Sequence, residues 1–257
     1  MKKLVITLIT TLLLANCAST KKEVEKNYES AEALYTEAVV ELNKKEIAKA
    51  SELFEQLEKE FPYSKWAIKG QLMYAYLQYA QNNFAASIAS LERFLQLYPL
   101  HQNADYAYYL IALNNYDQIN NAGRDQQDTY KALNSLEEVI NRFPDSPYAK
   151  DAKVKLDLVH EHLAAQEMSV GRFYLKKNNI IGALNRFKTV VDRFNKTIHV
   201  AEALFRLTEI YYSMGLVNEA QKYASILGYN FPHNPWYHKA YELLKGVKSK
   251  EKWYKIF

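Results

Sequence analysis

The chain has 257 residues, with 33 Lys and Arg against 29 Asp and Glu, a formal charge of +4, and a single cysteine. Lys2 and Lys3 supply two of the four net charges, so the rest carries no basic stripe of the kind that binds nucleic acid, and one cysteine excludes an internal disulfide. Seven glycines and six prolines are few for this length, which favours helix, and 21 tyrosines against 11 phenylalanines supply rings that pack while a hydroxyl stays wet.

The first element is a leader. Lys2 and Lys3 precede the apolar run Leu4 to Ala15, and small residues surround Cys17. That layout is a secretory signal peptide over 1–16, too short for a membrane-spanning helix. Leu14-Ala15-Asn16-Cys17 resembles the bacterial lipobox, with Asn16 where Gly, Ala or Ser is usual. The resemblance implies an S-diacylglyceryl group and an N-acyl chain on Cys17. Several acyl chains, at about 0.8 kcal/mol per buried methylene, hold a protein stably at a bilayer. Ala18 replaces the Asp that retains lipoproteins in the inner membrane, which implies the periplasmic face of the outer membrane. The polar, lysine-rich stretch 17–30 suits a flexible tether.

The next elements repeat. Ile47, Ala50, Phe54, Leu57 and Pro62 return as Phe84, Ser87, Leu91, Phe94 and Pro99, each offset by 37 residues. The spacing recurs as Thr129, Ala132, Leu136, Val139, Pro144, then Ile180, Ala183, Phe187, Val190, Asn195, and finally Val217, Ala220, Ala224, Leu227, Pro232. Offsets of three, four and three put the first four positions on one helical face. The small second residue admits a neighbouring helix, and proline stops the run. Ser146-Pro147 and Asn234-Pro235 are N-caps for the helices that follow. Five copies of helix, turn, helix and stop form the tetratricopeptide pattern, an all-α solenoid.

Between these copies the intervals vary. Pro99 to Pro144 is 45 residues, and the excess predicts a loop over Asn114 to Asp128. Pro144 to Asn195 is 51, with no turn signal from Tyr148 to Lys177, so one long helix joins the third and fourth repeats. The folded part therefore reads as N-terminal repeats over 31–145 and C-terminal repeats over 146–257. A capping helix from Pro235 to Lys252 turns Ala240, Leu243, Leu244 and Val247 inward.

No catalytic or metal constellation appears in the sequence. His160-Glu161-His162 lacks the spacing of a zinc motif, because residues two apart on a helix point different ways, and reads as a solvated pair. No glycine-rich phosphate loop is present, and the acidic residues sit among lysines at helical pairing distance. These features predict a binding protein with no cofactor beyond the lipid.

The strings "LYTEAVVELN", "YAYLQYA", "ERFLQLYPLHQNADYAYYL", "NRFPDSPYAKDA", "VGRFYLKKNNIIGALNRFKTVVDRF" and "EALFRLTEIYYSMGL" resemble the BamD family, the lipoprotein subunits of the β-barrel assembly machine. The likeness runs from about Leu34 to Tyr229. It implies a scaffold that helps insert β-barrels into the outer membrane, alongside a POTRA-bearing barrel subunit and accessory lipoproteins, with unfolded barrels as substrates. On this sequence the substrate groove would involve Tyr74, Tyr76, Asp105, Tyr106 and Tyr109. Arg186, in "LNRFK", would dock the POTRA subunit as an exposed side chain. Another periplasmic repeat adaptor, for envelope constriction or pilus assembly, shares the same fold.

Overall fold

The computed structural model describes residues 28–121, 123 and 125–245. Cys17, the leader, most of the tether and Val247 lie outside them. Eleven helices and no strands are found among the described residues. They are α1 (Ala31–Asn43), α2 (Ile47–Glu60), α3 (Lys65–Ala80), α4 (Phe84–Leu97), α5 (Ala104–Tyr116), α6 (Gln127–Arg142), α7 (Pro147–Lys176), α8 (Ile180–Arg193), α9 (Val200–Ser213), α10 (Val217–Asn230) and α11 (Pro235–Leu244).

The repeat governs where the second helix of each hairpin ends. Phe61, Tyr98, Phe143, Phe194 and Phe231 cap α2, α4, α6, α8 and α10 with φ between −122° and −136°, outside the helical region. Four of these aromatics precede a proline, which disfavours helical geometry in the residue before it. Phe194 precedes Asn195 and stops the same way. Its carbonyl accepts from Thr197 N–H at 3.1 Å and from the Thr197 hydroxyl at 2.8 Å, so a side chain does the work that proline does elsewhere. After each stop the chain makes the same turn, with the N–H of Ser64, His101, Ser146, Thr197 or Asn234 reaching back three residues to the aromatic carbonyl. The side chains of Ser64, Ser146 and Asn234 then cap the next helix.

The turn inside each hairpin is equally regular. Lys45, Asn82, Asn178 and Gly215 stand two residues before α2, α4, α8 and α10, all with φ between 57° and 76°. This left-handed step lets the next backbone N–H reach back to an orphan carbonyl of the first helix, as Asn83 does to Gln78 at 2.8 Å. In the third hairpin no such step is found among the described residues, and the connection is longer. The loop expected over 114–128 is shorter than that: α5 continues to Tyr116, and α6 opens at Gln127. Asn114 is buried in α5, donating to the Ser87 hydroxyl at 3.0 Å and to the Leu110 carbonyl at 2.7 Å. A polar residue that reads as loop is thus held in the core by its own helix and by one partner distant in sequence.

Two compact units are present, divided between Ala67 and Ile68. In the first, Leu34 and Ala38 of α1 lie in the core with Ala50, Phe54 and Leu57 of α2. Glu41 is buried there too, held by Lys44 at 2.9 Å and Lys49 at 3.5 Å. In the second unit, the small repeat positions Ser87, Ala132, Ala183 and Ala220 are fully buried, as close helix approach requires. The long helix is present as expected, 30 residues from Pro147 to Lys176. Gly171, within it, meets the Phe187 ring so closely that an added Cβ would lie 2.6 Å from Cε1. One hydrophobic cluster runs from Ala112 through Val159, Leu163 and Met168 of α7 to Ala240 of α11. In the last repeat Arg206 is 1% exposed, bound to Glu209 at 2.9 Å and Glu202 at 3.4 Å, with its guanidinium 5.3 Å from the Trp236 ring centre. Burial raises the Glu209 carboxyl above its ordinary range despite that cation. Of the cap's expected inward residues Ala240 is buried and Leu243 and Leu244 are half-buried.

Candidate functional site

Two surfaces of the second unit carry the residues singled out in the sequence. The first lies on α3, α5 and the start of α7. Tyr106 and Tyr109 are one helical turn apart on α5, so they share a face. Both meet Tyr148 of α7, Tyr106 at 5.5 Å between ring centres and Tyr109 stacked at 5.1 Å. Tyr79 of α3 extends the patch, and Tyr76 lies near enough that its phenol raises the cost of ionising Tyr79 and Tyr106. Tyr74 is set apart, since residues two apart on a helix diverge by about 200°. It is half-buried on another side of α3.

Hydroxyls and carboxylates fix these rings. The Tyr109 hydroxyl donates to Asp151 Oδ2 at 2.5 Å, and that oxygen also accepts from Lys155 Nζ at 2.8 Å. The Tyr79 hydroxyl donates to Asp117 Oδ2 at 2.6 Å. Burial, and then the neighbouring carboxylate, pushes the Tyr79 phenol up to about 12, while burial and Tyr148 push Tyr106 to about 12. Tyr109 is raised further by burial and Asp151. The Asp151 carboxyl is lowered, first by Lys155 and then by Tyr109. Asp105 accepts from the Ser146 hydroxyl at 2.7 Å, and Ser146 is the N-cap of α7. Asp105 therefore secures the long helix at the edge of the groove. Tyr79, Tyr148, Asp117 and Asp151 escaped the sequence reading, because pairing across about 40 residues is visible only once repeats are stacked.

The second surface is the seam between α7 and α8. Arg186, expected as an exposed side chain, is partly exposed and paired within the fold. Its Nη1 donates to both oxygens of Glu167, at 3.1 Å each, and its side chain is 40% exposed while that of Glu167 is 8% exposed. The bond to Glu167 also raises the Arg186 pKa. Repeat periodicity places Arg186 beside the inward Phe187 stripe, but the acceptor comes from the neighbouring helix and covers it. Nor is the His160-Glu161-His162 stretch a solvated pair. His160 packs on the Phe194 ring at 5.8 Å, Glu161 accepts from Ile198 N–H at 3.0 Å, and all three residues are partly buried.

Among the described residues no three His, Cys, Asp or Glu side chains gather as metal ligands, and no helix is long and apolar enough to cross a membrane. What the two surfaces offer is contact area with fixed rings and charges.

The sequence profile of the YfiO family, outer membrane lipoproteins, matches residues 27–226. The chain belongs to that family. It is 41% identical over 232 residues to the outer membrane protein assembly factor BamD of Caulobacter vibrioides, covering 90% of this chain and 76% of the relative. With the assembly factor BamD of Rickettsia prowazekii it shares 40% identity over 242 residues, 94% of this chain and 96% of the relative. Among solved structures, a complex of the yeast Sti1 TPR2AB domain superposes with a TM-score of 0.43 at 10% identity, covering 84% of this chain and 83% of that one.

Proposed function

We propose that this outer membrane lipoprotein is a non-catalytic scaffold for assembling β-barrel proteins into the outer membrane. The observation that carries the reading is identity of 40–41% with assembly factors over at least 90% of the chain. The tyrosine groove supports it physically. With the hydroxyls of Tyr79 and Tyr109 committed to Asp117 and Asp151, the groove offers ring faces in fixed orientation, which suits an extended segment bearing alternate aromatic side chains. Barrel strands alternate apolar and polar residues, with aromatic residues at the girdles near their ends. Acyl chains on Cys17 would hold the scaffold at the periplasmic face, and the C-terminal repeats would dock the POTRA-bearing barrel subunit and accessory lipoproteins.

A photo-crosslinking amino acid in place of Tyr76, which is 43% exposed, tests the groove in intact cells expressing a tagged barrel substrate. Crosslinks to unfolded substrate are expected there and not at Glu92, exposed on α4. Equal yield at the two positions would remove the groove from the proposal. The anchor has its own test: Cys17→Ser should abolish lipid labelling and release the chain from membranes, and retention of the unlabelled variant would refute anchoring by acyl chains.

A further inference from the structure

The turn of the last hairpin differs in chemistry from its counterparts. Lys45, Asn82, Asn178 and Gly215 hold the left-handed step of their turns. The residues on either side of that step are polar in three of them: Lys44 and Glu46, Gln81 and Asn83, Lys177 and Asn179. In the last they are Met214 and Leu216, 45% and 47% exposed. Val217 follows, opening α10 at the repeat position held by Ile47, Phe84 and Ile180. Those three side chains are half-buried, whereas Val217 is 42% exposed. Three neighbouring apolar side chains stand open at one turn whose counterparts are polar. Such a patch is built to be covered.

The path of α11 says which chain lies nearest. Trp236 stacks on Phe205 at 5.1 Å, and the Arg206 guanidinium lies 5.3 Å from its ring centre. Two turns later Leu243 borders a cavity of about 280 Å³ together with Glu209, Ile210 and Ser213, and Leu175 and Ile180 complete the wall. So α11 runs beside α9 in the same direction, each residue meeting one about thirty positions earlier. It ends at Leu244, level with Ser213 and just short of the apolar turn. At that spacing residues 246 and 247 fall beside Leu216 and Val217. Val247 is four residues after Leu243, a spacing that shares a helical face. The only charge lining the cavity among the described residues is Glu209, which Arg206 already holds at 2.9 Å. What remains open is aliphatic, and it suits an aliphatic side chain.

We infer that the chain covers this turn itself: the segment after Lys245 continues over the last hairpin, with Val247 seated against Met214, Leu216 and Val217 and closing that end of the cavity. Lys248, Lys250, Lys252 and Lys255 stay in water. The segment stands where a sixth hairpin would otherwise stack, and it withdraws the apolar turn from contact with other proteins.

The test is residue-resolved amide hydrogen exchange on the full-length protein purified in detergent. The N–H groups of Gly215 and Leu216 donate to the Tyr212 and Tyr211 carbonyls at 3.0 and 2.9 Å. Those of Asn82 and Asn83 make the equivalent bonds to Tyr79 and Gln78, both at 2.8 Å. Under the cover, Gly215 and Leu216 should be protected about tenfold better than that pair. Val247→Asp should remove the difference while leaving Asn82 and Asn83 unchanged, and Val247→Ile should keep it. Exchange at Gly215 and Leu216 that Val247→Asp leaves at the wild-type rate overturns the proposal. Protection that appears only when an envelope extract is added assigns the turn to a partner and overturns it as well.

Discussion

Replacing Arg186 with alanine should cost stability, because the residue is an internal tie. The substitution leaves the Glu167 carboxylate, 8% exposed, with no cation on it. Breaking a fully buried pair costs about 3–5 kcal/mol. Arg186 is 40% exposed, and water on that side screens the pair, so the loss falls to about 1–2 kcal/mol. For a domain of this size about 2–4 °C accompanies each kcal/mol, giving a melting point lower by about 4 °C. Circular dichroism at 222 nm reads it directly. Arg186→Glu should fall further, since it sets a second carboxylate against Glu167. Arg186→Met with Glu167→Met should recover most of the loss, and the double-mutant cycle should show coupling of about 1 kcal/mol or more. Melting of Arg186→Ala at the wild-type temperature, or a cycle with no coupling, would refute the reasoning. The same numbers govern any docking experiment at this residue, where lost binding must be separated from a loosened seam.

Three further outcomes follow from the packing and the charges. Gly171→Ala should lower the urea midpoint by the equivalent of about 1–3 kcal/mol, because its Cβ meets the Phe187 ring at 2.6 Å; a midpoint raised as helix propensity alone demands would contradict the packing. Arg206→Ala should be among the most destabilising single changes, about 3–5 kcal/mol by chemical denaturation, since Glu202 and Glu209 lose a cation that is itself 1% exposed; a loss under 1 kcal/mol would count against the buried network. Tyr106, raised to about 12 in the fold, contributes stability that is complete below the ordinary phenol pKa of about 10 and is lost as pH rises through 12. Tyr106→Phe should therefore flatten the fall in stability between those values, and an unchanged slope together with unchanged tyrosinate absorbance at 295 nm would place the ring in water.

The parts of this molecule legible in its sequence are those set by local chemistry. A small residue at Ala132 or Ala183, a proline after a helix end, and the absence of any breaker from Tyr148 to Lys177 each act within a few residues, and each matches the structure. The aromatic caps and the left-handed residues Lys45, Asn82 and Asn178 were equally periodic, but lysine and asparagine carry too weak a turn signal to be noticed singly. What stayed hidden depends on pairs remote in sequence. Asn114 reads as a loop residue until Ser87 supplies an acceptor. Arg186 reads as solvated until α7 brings Glu167. In the groove, Tyr106 and Tyr109 could be named, whereas Tyr148 and Asp151 join them only through the stacking of α5 on α7.

The central claim, that this chain promotes barrel assembly by binding alone, is tested most directly by reconstitution. Proteoliposomes containing the POTRA-bearing barrel subunit, with or without the lipidated protein, would be given a urea-denatured barrel substrate, and the folded fraction read by heat-modifiable gel migration. The account predicts a severalfold increase in folded barrel with the wild-type protein. Equal folding with and without the wild-type protein would contradict it.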